Sequence, residues 1–301
     1  MISKRETTPN RLVLITAWVI ILCVSILPNA LWHELAGGAP AWLTWVKIGL
    51  LIALSGATLL WKPLRPLRNF ALLLLVIFAG DVLVSRLTDS TLWQGWFSST
   101  AFTSEMLGIQ LSRLIVSLLV IAALWALGYQ RRDFFLVPGK LAAPIKPVPW
   151  LGFPKPDPWT SFGGQYALYI SLGTLLFLIL GGRPKPETFL QILPMLPAIL
   201  LFATLNAFNE ELTYRASLLA GLEPVIGHQQ ALWNTAVFFG LGHYFGVPYG
   251  VVGVIMATFL GWMMGKAMLE TRGFFWAWFI HFWQDVLIFT FMAMGSITLG
   301  G

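Results

Sequence analysis

The chain has 301 residues, of which 57% are hydrophobic and only 11% charged, with a formal net charge of +6. Globular proteins carry roughly a quarter charged residues, so this composition excludes a soluble enzyme and describes an integral membrane protein. The positive charge could suggest nucleic acid, but the basic residues are spread over segments between apolar runs instead of forming one basic face, so no nucleic-acid partner is expected.

Apolar runs are found near 12–32, 41–61, 69–87, 108–128, 164–182, 188–208, 229–245, 247–268 and 273–294. Each reaches or approaches the roughly 20 residues a helix needs to cross a hydrocarbon core, which predicts an all-α polytopic transmembrane bundle of about eight or nine spans. The run at 229–245 is the shortest and suits a re-entrant segment. The first run follows a basic N-terminus, is longer than the core of a cleaved signal and reads as a retained anchor. It holds Cys23, the single cysteine, expected to be a small buried hydrophobe.

Basic residues flank these runs in groups. Lys4, Arg5 and Arg11 precede the first, Lys62, Arg65 and Arg68 follow the second, Arg131, Arg132, Lys140, Lys146 and Lys155 follow the fourth, and Lys266 and Arg272 follow the eighth. With nine alternating spans all four groups share one side, so the positive-inside rule expects a cytoplasmic N-terminus in a cell (inner) membrane. Arg183 and Lys185 fall on the other side as an exception.

Between the fourth and fifth runs lie Pro138, Pro144, Pro147, Pro149, Pro154, Pro156 and Pro158. This density forbids a helix and predicts a loop that divides the chain. The expected organisation is N-terminal helices at 1–128, a Pro-rich basic cytoplasmic loop at 129–163 and a catalytic membrane core at 164–301. Trp150 and Trp159 suit the headgroup level. No internal repeat of fixed period is visible.

Ionisable groups inside spans are costly and mark function. In the first half, Lys47 and Arg86 lie near span ends where long side chains can snorkel, and Asp81 is expected to pair with Arg113 across two helices. Asp81 follows Gly80, but Phe78 replaces the first glycine of an aspartyl-protease motif and no second Asp motif is present.

The second half holds three polar clusters: Glu210-Glu211-x-x-x-Arg215, Phe239-x-x-x-His243 and His281-x-x-x-Asp285. The i, i+4 spacing puts Glu211 and Arg215 on one helical face, where they can pair, and turns Glu210 about 100° away. Glu210 is thereby left free to take a proton from water and return it to a leaving amine. Taken alone, the cluster suits an ion pair at a solvated helix end equally well. Gly240 and Gly242 allow close backbone approach before His243. His281 and Asp285 share one face of the last helix among Phe279, Ile280, Phe282 and Trp283, and need a polar cavity to face. His33-Glu34 begins a zincin motif, but position 37 is Gly. His228 is expected in a turn.

In these three motifs, over roughly residues 190–290, the chain resembles the CAAX-protease and bacteriocin-processing family (CPBP, also called ABI). Its pattern is Glu-Glu-x-x-x-Arg, Phe-x-x-x-His and His-x-x-x-Asn or Asp on successive membrane helices. The resemblance implies an intramembrane endopeptidase in which Glu210 activates water, Glu211 and Arg215 organise the site, and His243 and His281 assist. Its substrate would be a hydrophobic or lipidated peptide or protein reached from the lipid bilayer. Two histidines and the glutamates also suit a divalent metal such as zinc, with Glu210, His243 and His281 as ligands, or a metal-free site in which the imidazoles donate to an oxyanion. Asp285 stands where an Asn is common, and suits the orientation of His281 or of a metal. The rival readings are a proton-coupled transporter and a non-catalytic binding protein of the same fold. Simple counting at 1.5 Å per residue places His243 far from Glu210 and His281, so convergence requires either the first motif to lie deeper than the hydropathy suggests or segment 229–245 to be displaced or re-entrant.

Overall fold

The computed structural model describes residues 10–97, 99 and 101–299; Lys4 and Arg5 lie outside them. Thirteen α-helices succeed one another: α1 (Arg11–Val24), α2 (Leu27–Ala36), α3 (Trp42–Leu60), α4 (Arg68–Thr88), α5 (Thr91–Phe97), α6 (Phe102–Ala126), α7 (Trp159–Gly182), α8 (Pro186–Gln191), α9 (Leu196–Glu211), α10 (Ser217–Ile226), α11 (His228–Gly242), α12 (Val251–Thr271) and α13 (Phe275–Leu299). Among the described residues seven helical segments are long and apolar enough to cross a membrane, or eight if the bent pair α1–α2 counts as one. The chain is an all-α, multi-pass membrane protein.

Three departures from the expected spans have local causes. The run at 12–32 breaks into α1 and α2 with a 45° bend, because Pro28 at the start of α2 has no N–H to continue the helix. Lys47 does not snorkel. It is buried, and its Nζ donates to the Ser25 carbonyl at 2.5 Å and to Asn29 Oδ1, filling acceptors at the bend. The run at 188–208 is the first half of a longer passage, since α9 continues through a π-helical turn at Leu212–Ala216 into α10. As expected, the seventh segment is short: α11 has 15 residues, or about 22 Å at helical rise.

Cys23 is exposed on the outer face of α1, away from the protein core. His228 opens α11 and approaches Glu223 at 3.4 Å. Around 88–101, where the sequence suggested no element, the short helix α5 packs Phe97 against Gly108 of α6.

The proline-rich segment after α6 contains no α-helix, but it is tied down along its length. Lys140 N donates to the Thr271 carbonyl at 2.7 Å, Phe274 N to the Val137 carbonyl at 2.8 Å, and Trp276 Nε1 to the Leu141 carbonyl at 3.0 Å. Gly139 has φ +80°, and a Cβ there would come within 2.6 Å of the Gly273 backbone. Glu270, near the end of α12, accepts from Lys266 Nζ at 2.5 Å, from Lys146 N at 3.2 Å and from Trp159 Nε1 at 3.0 Å. Trp159 is therefore fully buried at the start of α7, whereas Trp150 is 65% exposed.

The motif segment α11 is gripped from both sides. Trp18 Nε1 of α1 donates to Gln230 at 2.9 Å, and Asn234 Nδ2 donates to the Ala17 carbonyl at 3.3 Å. On the other side Gly240 lies directly on α12: an added Cβ would overlap Thr258 Oγ1 and come within 2.8 Å of the Val254 carbonyl. Gly242 meets nothing within 4 Å. Gly240→Ala is therefore expected to destabilise the protein by about 1–3 kcal/mol, the usual cost of overpacking, while Gly242→Ala leaves the unfolding midpoint nearly unchanged. Thermal unfolding in detergent checks the pair.

Candidate functional site

Glu210 and Glu211 end α9 just before the π turn, a widened stretch of helix of the kind often found at functional sites. Glu211 and Arg215 form an ion pair in which neither side chain has any solvent exposure. This excludes a solvated helix end. The guanidinium is also stacked on Phe239, with Cζ 4.5 Å from the ring centroid, a cation–π contact in a desolvated setting. Room for it comes from α12, where a Cβ on Gly261 would sit 3.3 Å from Arg215 Nη2 and 3.2 Å from the Phe239 ring.

Glu211 Oε1 also faces His281 Nδ1 at 2.8 Å. An ionised carboxylate only accepts, so Nδ1 carries the proton and Nε2 is the ring nitrogen turned into the site. Nε2 lies 3.6 Å from Glu210 Oε2 and 3.6 Å from Asp285 Oδ2. The last helix that carries His281 and Asp285 is fixed by Trp278 Nε1 donating to the Thr204 carbonyl of α9 at 3.2 Å. Gln284 fixes it from α7, accepting from Thr174 at 2.7 Å and donating to Ser171 at 3.0 Å.

Asn206, one turn before Glu210, joins the helices from within. Its amide donates to Asp285 Oδ2 at 3.0 Å, and its Oδ1 accepts from Arg113 Nη1 and from Gln110 at 3.3 Å. Asn209 accepts from Ser117 at 3.0 Å and donates to the Gln110 carbonyl at 3.2 Å. Ser117 also meets Thr213 at 3.1 Å. These contacts seal α6 to α9 and leave the carboxylates as acceptors at the centre.

Glu210 is not free. Arg113 of α6 reaches it, with Nη1 2.6 Å from Oε1. The expected partner of Arg113, Asp81, makes no hydrogen bond or ion pair with it, because the guanidinium is taken by Glu210 and Asn206. The sequence marks Arg113 as an ionisable group inside a span, but its partners are Glu210 and Asn206 and not Asp81. Two carboxylate-bearing segments competed for it, and no sequence distance separates them.

His243 caps α11. Its Nδ1 lies 2.9 Å from the Phe239 carbonyl, which can only accept, so Nδ1–H donates there and Nε2 is the nitrogen left for chemistry. The Phe239 ring is 4.5 Å from His243 and 6.0 Å from His281, so one aromatic side chain touches the arginine and both histidines. The convergence that simple counting disfavoured is achieved, because Glu210 lies midway along the 34-residue passage Leu193–Ile226, deeper than the apolar run suggests, and α11 is short. The loop after His243 is fixed from outside: Tyr244 and Tyr249 donate to Glu34 of α2 at 2.9 and 2.5 Å, and Phe245 packs edge-on against His33 at 5.3 Å. Hydrogen bonding to the Glu34 carboxylate pushes the Tyr249 hydroxyl up to about 12.

The residues do not fit a zinc site. Zinc needs three protein donors converging at about 2.0–2.2 Å. Of the three expected donors, Glu210 has its Oε1 occupied by a guanidinium. Among the described residues no three His, Cys, Asp or Glu side chains are grouped to hold a metal ion.

On one side the site is open. Arg113 is 45% exposed and Glu210 14%, whereas Glu211 and Arg215 are sealed. The arrangement offers a buried, oriented imidazole, a second imidazole with a free Nε2, and one carboxylate that a ligand can reach.

Residues 192–287 match the model of the type II CAAX prenyl endopeptidase Rce1-like family. No curated protein and no solved structure matches the chain. The matched segment runs from just before α9 to just past Asp285 and contains Glu210, Glu211, Arg215, His243, His281 and Asp285, while α1–α8 lie outside it. Residues 192–287 are thus similar to the type II CAAX prenyl endopeptidases, and all three polar motifs lie within that segment.

Proposed function

We propose that the protein hydrolyses peptide bonds of hydrophobic or lipid-modified substrates by a water that Glu210 activates, without metal. The observation that carries this reading is that Glu210 is the one partly exposed carboxylate of the cluster, beside two imidazoles whose Nδ1 positions are already committed. Water bound to Glu210 loses a proton to the carboxylate as its oxygen attacks the scissile carbonyl. The C–N bond then breaks, and Glu210 returns the proton to the leaving nitrogen. His243, donating from Nε2 when protonated, stabilises the developing oxyanion. His281 is held by Glu211 and Asp285 so that its Nε2 faces Glu210 throughout, and Asp285, itself anchored by Asn206, orients that ring.

The substrate reaches the site within the bilayer, so the residues next to the scissile bond are hydrophobic or carry a lipid. The basic groups around 62–68, 131–155 and 266–272 support a cytoplasmic N-terminus in a cell membrane by the positive-inside rule. The test is cleavage of prenylated and unmodified hydrophobic peptides by the purified protein in detergent, with and without chelator. Prenylated or hydrophobic peptides are expected to be cut and soluble hydrophilic ones left intact, with the rate unchanged by chelator. Loss of all cleavage on chelation would overturn the metal-free mechanism. A pH-dependent ion flux in liposomes with no cleavage would overturn the protease reading.

A further inference from the structure

The proposed general base is held by a residue that the family match does not cover. Arg113 lies on α6, outside residues 192–287, and its Nη1 engages Glu210 Oε1 at 2.6 Å. With that oxygen engaged, water is left with Oε2 alone, which lies 3.6 Å from His281 Nε2. The guanidinium must move for Oε1 to take a proton.

A second seat for it is present. Asp81 lies on α4, exposed, with no hydrogen-bond or ion-pair partner among the described residues. It faces the same pole of the site: Arg113 is within electrostatic reach of both Asp81 and Glu210, and Tyr214 is within reach of all three. At this level α4 and α6 are in close contact, since a Cβ on Gly80 would lie 3.5 Å from Val116 and Leu119, about one turn from Arg113. An unpaired carboxylate at bilayer depth is costly unless it is used. Exchanging one carboxylate for another keeps the arginine paired throughout, so the movement avoids the large penalty of an isolated charge. At 45% exposure the Arg113 side chain has open space through which to swing.

We propose that Arg113 is a gate on Glu210 with two seats: it holds Glu210 Oε1 in the resting site, and a substrate entering the cleft displaces it to Asp81, freeing that oxygen for water. Asp81 and Arg113 are then positioning residues supplied by the N-terminal half. The gate prevents an exposed base from reacting until the cleft is filled.

The inference rests on Glu210 being the base, and the experiment separates the two. Cleavage of one hydrophobic peptide is compared for wild type, Asp81→Asn, Asp81→Glu, Arg113→Gln, Asp81→Asn with Arg113→Gln, and Glu210→Gln. With no second seat, Asp81→Asn lowers kcat about tenfold or more while KM stays within about twofold, a loss in the chemical step and not in binding. Asp81→Glu restores kcat. In the Arg113→Gln background Asp81→Asn has no further effect, because there is no guanidinium left to seat. Wild-type kcat in Asp81→Asn, or losses that simply multiply in the double variant, would overturn the gate while an inactive Glu210→Gln left the base in place. An active Glu210→Gln would overturn the base itself.

Discussion

Glu210→Gln reduces kcat by a factor of about 10² to 10⁴, the range a general base supplies, and leaves the unfolding midpoint close to that of the wild type. The amide keeps the volume of the side chain, and its oxygen still accepts from Arg113 Nη1, so the contact between α6 and α9 survives. What is lost is the ability to take a proton from water. Glu211→Gln is the informative contrast, because Glu211 is fully buried between Arg215 and His281 and has no access to water. That substitution lowers activity and stability together. Two adjacent glutamates thus have separable roles, and kinetics set beside thermal unfolding distinguishes them. Full activity in Glu210→Gln would remove it from the chemistry.

The largest stability effect is expected at Arg215. Arg215→Leu leaves the Glu211 carboxylate buried without its cation, which costs about 3–5 kcal/mol. Phe239 also loses the guanidinium stacked on it, and the space that Gly261 provides is left poorly filled. Replacing both partners, as in Glu211→Leu with Arg215→Leu, removes the unpaired charge and recovers most of that loss, because a buried ion pair contributes little net stability over an apolar pair of similar size. Activity does not recover in the double variant, since His281 Nδ1 no longer has the carboxylate that fixes its tautomer. Unfolding midpoints in detergent for the two single variants and the double one test this. Additive losses would show that the pair has no such mutual dependence.

Much of the fold and part of the site could be read from sequence because they depend on local rules. A run of apolar residues fixes a spanning helix whatever its neighbours, and i, i+4 spacing puts Glu211 on Arg215 and His281 beside Asp285 through helix geometry alone. The weak point at 229–245 was visible in its length. Lys47 and Cys23 depart from expectation for one shared reason. Composition places a residue in a membrane helix but does not say which face of that helix meets protein and which meets lipid.

What only the tertiary structure decided is which distant segments meet. Arg113 and Glu210 are 97 positions apart, Asn206 and Asp285 79, and Tyr249 and Glu34 215. Each of these contacts depends on how helices pack, which no local periodicity encodes. Membrane helices pack through side-chain fit and through small residues that let backbones approach, and here Gly240 and Gly261 set where α11 and α12 stand relative to Arg215 and Phe239. The sequence by itself determined a multi-pass helical membrane protein carrying the three motifs of an intramembrane endopeptidase. Packing decided that α6 of the N-terminal half closes the site, that Glu210 is held and not free, and that both histidines reach one aromatic ring.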